Sequence, residues 1–147
     1  MINIICGLPA SGKSTFANSL ASTVYDFDSW IVNRMGCPFK KAMELFMGYN
    51  PKRFYNEYIN LALEHENASI VDVLATPEER EYVLSKCKQK KYTIHAWWVE
   101  TPLETIIKRN RKRNSPVDES IIMNMYRAAV HPSKNEGFNY VTIVRGF

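Results

Sequence analysis

"GLPASGKST", residues 7–15, directly follows the apolar run Ile2–Cys6. Gly7, Gly12, Lys13 and Ser14 fill every required position of the pattern G-x-x-x-x-G-K-[ST]. Such a loop folds tightly enough for its backbone N–H groups to converge on phosphate oxygens, and the helix that starts there adds its positive dipole end. The pattern assigns Lys13 to the β- and γ-phosphates and Ser14 to Mg²⁺. Pro9, Ala10, Ser11 and Thr15 complete the cradle. A strand-to-helix turn can match part of this pattern by chance, but here the flanks agree too. "MINIIC" reads as a buried parallel strand and "KSTFANSLAST" as an amphipathic helix. The expected ligands are ATP and Mg²⁺.

A chain of 147 residues, 46% of them hydrophobic, is long enough to bury one core without disulfides or a structural metal. A single domain over residues 1–147 is expected. The formal charge of +4 is mildly basic and does not by itself demand a nucleic-acid partner. No stretch approaches the roughly 18 apolar residues of a membrane span, and the chain enters a strand at once, with no leader pattern. Cys6, Cys37 and Cys87 are far apart and odd in number, as expected of reduced thiols in the cytoplasm of a cell or of a virus-infected host. His65, His95 and His131 are too scattered to suggest a metal site.

Strand and helix patterns alternate along the chain. "TVYDFD" (23–28) reads as a second strand, followed by a helix capped by Ser29. The stretch 37–67 is helical, with breaks at Gly48 and Pro51. "ASIVDV" (68–73) reads as a third strand, and Thr76-Pro77 opens a helix that ends in lysines. "YTIHAWWVE" (92–100) is the fourth strand. Thr101-Pro102 repeats the helix start, Asp118 begins another helix, and "NYVTIVRG" closes the chain as a fifth strand. This alternation predicts an α/β fold: a parallel sheet of about five strands flanked by helices. Ligands then bind at the carboxyl ends of the strands.

Phosphoryl transfer to an alcohol needs a carboxylate that orients the hydroxyl and accepts its proton. Asp26 and Asp28 end the second strand pattern and Asp72 the third, and spacing alone does not choose among them. Asp28 equally suits a helix cap, and Asp72 suits a Mg²⁺-organising role. In "KRNRKRN" (108–114), Arg109 and Arg113 fall four residues apart, on one face of a continuous helix. A solvated helix end is the plain reading of this run. Beside a phosphate loop it also suits a lid whose arginines steady the transferring group.

These segments together resemble the kinase domain of polynucleotide 5′-hydroxyl kinases. The resemblance extends over most of the chain: "GLPASGKST", "DFDSW", "VDVLATPEER", the stretch "VETPLETIIKRNRKRN" with "PVDESIIMNMYRAA", and the closing "HPSKNEGFNYVTIV". It implies a P-loop kinase fold with a helical lid at about 104–118. It implies that Asp28 is the general base, that Asp72 has a site role, and that Arg109 and Arg113 are the lid arginines. Ile31 departs from the pattern, standing where the phage enzymes carry an arginine that holds the acceptor's phosphate. Arg34, one turn on, is the nearest replacement. Val73 and Leu74 replace the polar residues that usually follow Asp72.

The implied acceptor is the 5′-hydroxyl end of DNA or RNA. Arg34, Lys40, Lys41, Lys52 and Arg53 offer phosphate contacts, and Trp30 and Tyr49 offer stacking surfaces. A nucleoside, a nucleotide or a hydroxymethylated base in DNA would fit the same chemistry. A nucleotide-binding switch without kinase activity is the alternative from another class. Oligomeric state is not legible.

Overall fold

The computed structural model describes residues 1–147. Five strands, β1 (Ile2–Cys6), β2 (Thr23–Asp26), β3 (Ala68–Val71), β4 (Ile94–Glu100) and β5 (Tyr140–Arg145), form one sheet in the order β2-β3-β1-β4-β5. Every neighbouring pair is parallel. The expected α/β architecture is therefore the observed one. β1 lies at the centre and is buried along its whole length, which explains its apolar character; the one polar residue in it, buried Asn3, accepts the Trp97 Nε1–H at 2.9 Å.

The helices are α1 (Lys13–Ser19), α2 (Phe27–Met35), α3 (Phe39–Gly48), α4 (Pro51–Ala62), α5 (Pro77–Gln89), α6 (Leu103–Arg111) and α7 (Glu119–Ala128). A 3₁₀ turn spans Lys134–Glu136. On one sheet face Ile2, Ile4, Ile70, Ile94 and Ala96 pack with Phe27, Tyr58, Ile59 and Val83. On the other, Ile5, Val71 and Val99 meet Phe16 and Ala17 of α1. Cys6, Cys37 and Cys87 are free thiols, and burial pushes Cys6 and Cys87 up to about 12. No helix is long and apolar enough to cross a membrane.

Two helix starts differ from the sequence reading. The second strand ends at Asp26, whose side chain accepts the Asp28 N–H at 3.0 Å and caps α2 in place of Ser29. Aspartate caps as well as serine and comes first in the chain. Asp28 therefore sits in the first turn of a helix, not at a strand end. Thr76 caps α5 as expected, accepting from Glu79 N–H at 3.3 Å. Thr101 does not cap α6. Its hydroxyl instead donates to the Ser11 carbonyl at 2.7 Å, tying the phosphate loop to the end of β4.

Tyr58 of α4 joins the two strands that carry the acidic residues. Its buried hydroxyl lies 2.6 Å from the Tyr25 carbonyl and 3.2 Å from that of Val71. Tyr58→Phe leaves these carbonyls short of a donor, and urea unfolding is expected to show a loss of about 1–3 kcal/mol.

Candidate active site

The ends of β1, β2 and β3 lie side by side, so three loops converge. In the phosphate loop, Gly12 adopts φ +99°, a left-handed backbone that favours glycine, and a Cβ there would collide with the Phe147 backbone. Lys13 Nζ donates to the carbonyls of Gly7 and Leu8, both at 2.9 Å. Lys13 is thus half-buried and part of the loop's own bonding. Burial lowers its pKa, Asp28, Asp72 and Asp26 oppose that shift, and Arg113 adds to it. Ser11 Oγ, 1% exposed as a residue, is the one buried side-chain polar atom with no hydrogen-bond partner. A phosphate would satisfy both the orphan hydroxyl and the lysine. The loop therefore fits a nucleotide's phosphates.

The three carboxylates have different surroundings. Asp26 accepts the Ser14 hydroxyl through Oδ2, while its Oδ1 caps α2. Asp28 opens to solvent at the mouth of a cavity of about 480 Å³. Its pKa is raised, first by partial desolvation and then by Asp26, with Lys13 and Arg113 acting against the rise. Asp72 accepts Tyr55 O–H at 2.9 Å on Oδ2 and Val73 N–H at 2.8 Å on Oδ1. Burial drives it up to about 6, against those two hydrogen bonds.

Ser14 and Asp72, both expected at the Mg²⁺, are not bonded to each other. Asp26 stands beside Ser14, and both oxygens of Asp72 are already engaged within the protein. No group of three or more His, Cys, Asp or Glu side chains is arranged as a metal cage. A hydroxyl and one carboxylate suit Mg²⁺, which usually binds through few protein ligands together with phosphates and water.

The lid differs from the sequence reading as well. α6 ends at Arg111, and the chain turns through residues 112–115 before Pro116. Buried Asn110 fastens that turn. Its Nδ2 donates to the Val117 carbonyl at 2.7 Å, and its Oδ1 accepts Val117 N–H at 2.9 Å. Arg109 and Arg113 are consequently not on one helical face. Arg113 lines the Asp28 cavity with Ser29, Val32, Asn33, Phe39, Asn114 and Ser115. Arg109 reaches toward the Ala10 carbonyl at 3.4 Å and lines a separate cleft of about 450 Å³ with Thr105, Gly146 and Phe147.

Neither Arg34 nor Trp30 lines the Asp28 cavity. The Arg34 Nε is 2.7 Å from Glu57 Oε1, and its guanidinium lies over the Phe54 ring. Trp30 is half-buried against Phe27 and Tyr58. Ser29, Val32 and Asn33 replace them at the cavity wall. Their spacing from Asp28 and Ser29 along α2 is the signal that would have found them. Tyr55 had no such signal, because only the fold brings α4 to the end of β3.

Residues 2–132 match AAA_33, a family of AAA domains. The chain belongs to that family. A curated relative of this AAA domain, the L-seryl-tRNA(Sec) kinase of Methanococcus maripaludis, is 29% identical over 138 residues. The match takes in 86% of this chain but 51% of the relative, so the chain spans about half the relative's length. Kti12 from Chaetomium thermophilum, solved with ADP-AlF3, has the same fold at a TM-score of 0.65 and 13% identity. The match covers 99% of this chain and 89% of that one. A gluconokinase from Sinorhizobium meliloti 1021 superposes at a TM-score of 0.63 and 10% identity, over 97% of this chain and 81% of that one. Both show that the AAA domain has a P-loop kinase fold.

The raised pKa of Asp72 gives a signed expectation. Its folded value of about 6 exceeds the ordinary 3.8, so the folded state binds more protons between these values and gains stability as pH falls. Without nucleotide, the protein is expected to gain about 2 kcal/mol from this group between about pH 7.5 and 4.5. Asp72→Asn should remove that increment from the pH dependence of urea unfolding.

Proposed function

We propose that this AAA domain is an ATP-dependent phosphotransferase whose acceptor is a hydroxyl borne on nucleic acid, best read as a 5′-hydroxyl end. The observation that carries the reading is the cavity that Asp28 and Arg113 both line, within electrostatic reach of Lys13. A carboxylate with a raised pKa is a better proton acceptor than an ordinary one. Asp28 would orient the acceptor hydroxyl and take its proton. Lys13, the loop N–H groups and Ser11 would hold the β- and γ-phosphates, with Ser14 and Asp26 holding Mg²⁺. Bound ATP with Mg²⁺ would supply the phosphoryl group. Arg113, which has no carboxylate partner, would offset the negative charge that spreads as the group transfers. The separate cleft beside Arg109 would take the nucleotide's base and ribose.

Exposed Lys40, Lys52 and Arg53 supply cations for an acceptor's phosphates, and Tyr49 at 78% exposure offers a stacking face. A second reading is favoured by the seryl-tRNA kinase relative: a hydroxyl on an aminoacyl group carried by tRNA. Both acceptors are primary alcohols attached to a phosphate chain.

Asp28→Asn should lower turnover by roughly 10²-fold or more while ATP binding persists. Asp26→Asn should act chiefly by raising the Mg²⁺ concentration needed. Harmless Asp28→Asn, with turnover lost in Asp26→Asn at saturating Mg²⁺, would move the base to Asp26.

The acceptor is tested by radiolabel transfer to 5′-hydroxyl DNA and RNA oligonucleotides, nucleosides and seryl-tRNA. The KM for an oligonucleotide should climb several-fold by about 0.2 M salt, because phosphate contacts release counterions. Lys52→Gln with Arg53→Gln should flatten that climb and leave the KM for ATP unchanged. Use of nucleosides alone, at every salt concentration, would remove the nucleic-acid reading.

A further inference from the structure

Arg80 of α5 is the largest fully buried side chain in the molecule. Its Nε and Nη2 donate to Glu136 Oε1 and Oε2 at 2.8 and 3.0 Å, a bidentate pair, while Nη1 donates to the Leu74 carbonyl at 2.8 Å. Glu136 also accepts Ser133 N–H at 2.9 Å, which fixes the carboxylate from its other side. Buried ion pairs of this kind add little net stability, because desolvation offsets the attraction. What the pair holds is more informative than what it stabilises.

It holds the segment 72–76. Leu74 has φ +43°, a left-handed backbone that a branched side chain resists and that surrounding bonds must enforce. Just before Leu74, the Val73 carbonyl accepts the N–H of Gly7, the first glycine of the phosphate loop, at 3.0 Å. Asp72 N–H donates to the Ile5 carbonyl at 3.2 Å. Just after it, Ala75 N–H donates to Glu79 Oε2, and the Ala75 carbonyl accepts Val130 N–H where the chain leaves α7. One five-residue turn thus touches the phosphate loop, carries Asp72 and anchors the chain just beyond α7.

We propose that Arg80, locked by Glu136, is a positioning residue. It clamps Leu74 in its strained conformation, and so sets where Asp72 and the phosphate loop stand relative to each other. The inference rests on the phosphotransferase reading of this site. Arg80 touches no reacting atom and acts through the backbone of residues 73–74.

A misplacement of about 1 Å at such a site costs roughly 10²-fold in rate, so kcat is the quantity that should fall. Three variants test this: Arg80→Lys, Glu136→Gln, and the apolar pair Arg80→Met with Glu136→Leu. The apolar pair leaves no buried unpaired charge and is expected to fold at least as stably as the single variants, yet it has no donor for the Leu74 carbonyl.

In all three, kcat should drop roughly 10- to 100-fold while the KM for ATP stays near its wild-type value. The Gly7 amide should exchange with deuterium faster than in the wild type. Recovery of wild-type kcat in the apolar pair would make the role purely structural and overturn the proposal. So would wild-type protection of the Gly7 amide in a folded variant. Should the wild-type chain phosphorylate no hydroxyl at all, the phosphotransferase reading fails, and exchange at Gly7 alone still decides whether Arg80 positions the loop.

Discussion

The charge gathered around Lys13 is the constraint that the surrounding structure answers to. Asp26, Asp28 and Asp72 all act on this ammonium, and Arg113 acts against them. That gathering follows from the strand order. With β3 beside β1 and β2 beside β3, all parallel, the carboxyl ends of three strands present their loops along one rim. A different order would spread the same residues along the sheet edge. Three carboxylates this close would repel one another unless each had its own means of stabilisation.

Each has. Asp26 is bonded to Ser14 and to the first turn of α2. Asp28 faces solvent and shares its cavity with a free arginine. Asp72 is half-buried and depends on one phenol and one backbone N–H, which do not fully offset its desolvation. Two of these chemically identical groups, Asp28 and Asp72, thereby hold a proton more tightly than an ordinary aspartate, and such tuning is how one site assigns separate tasks to carboxylates. The Tyr55 hydroxyl matters here out of proportion to its size. It is the only side chain from the α3–α4 region that binds one of the three acids directly, so it couples that region to the phosphate loop.

The strands, the phosphate loop and the sheet were legible in the sequence because their signals are local. Apolar runs, a glycine-rich pattern and Thr-Pro helix starts each depend on a few neighbouring residues. The partner of Ser14 was not legible, since a cap competes with a strand end at Asp26 and only geometry settles the winner. The placement of Arg109 and Arg113 failed for a definite reason. Four-residue spacing implies a shared face only while the helix continues, and here α6 ends at Arg111, where the Asn110–Val117 clasp closes a turn. The contacts of Arg34 with Glu57, and of Trp30 with Tyr58, are not legible in the sequence because the partners are distant in the chain. Buried Arg80 carried no signal at all: in "TPEER" it looks like any charge on a solvated helix.

The broken helix gives the lid a capacity that an unbroken one would lack. On a continuous helix the two arginines would share one face, whereas here they line two separate clefts. Arg109 belongs to α6 and reaches toward the Ala10 carbonyl. Arg113 sits on an exposed turn closed at its base by the double hydrogen bond between Asn110 and Val117. The Arg111–Glu119 ion pair spans the same turn, so residues 112–115, Arg113 among them, form a tip whose side chains make no hydrogen bond within the protein. The Asp28 cavity and the Arg109 cleft are thus lined by two different parts of the lid. Under the proposed phosphotransfer, that separation would let one cleft serve the nucleotide and the other the acceptor.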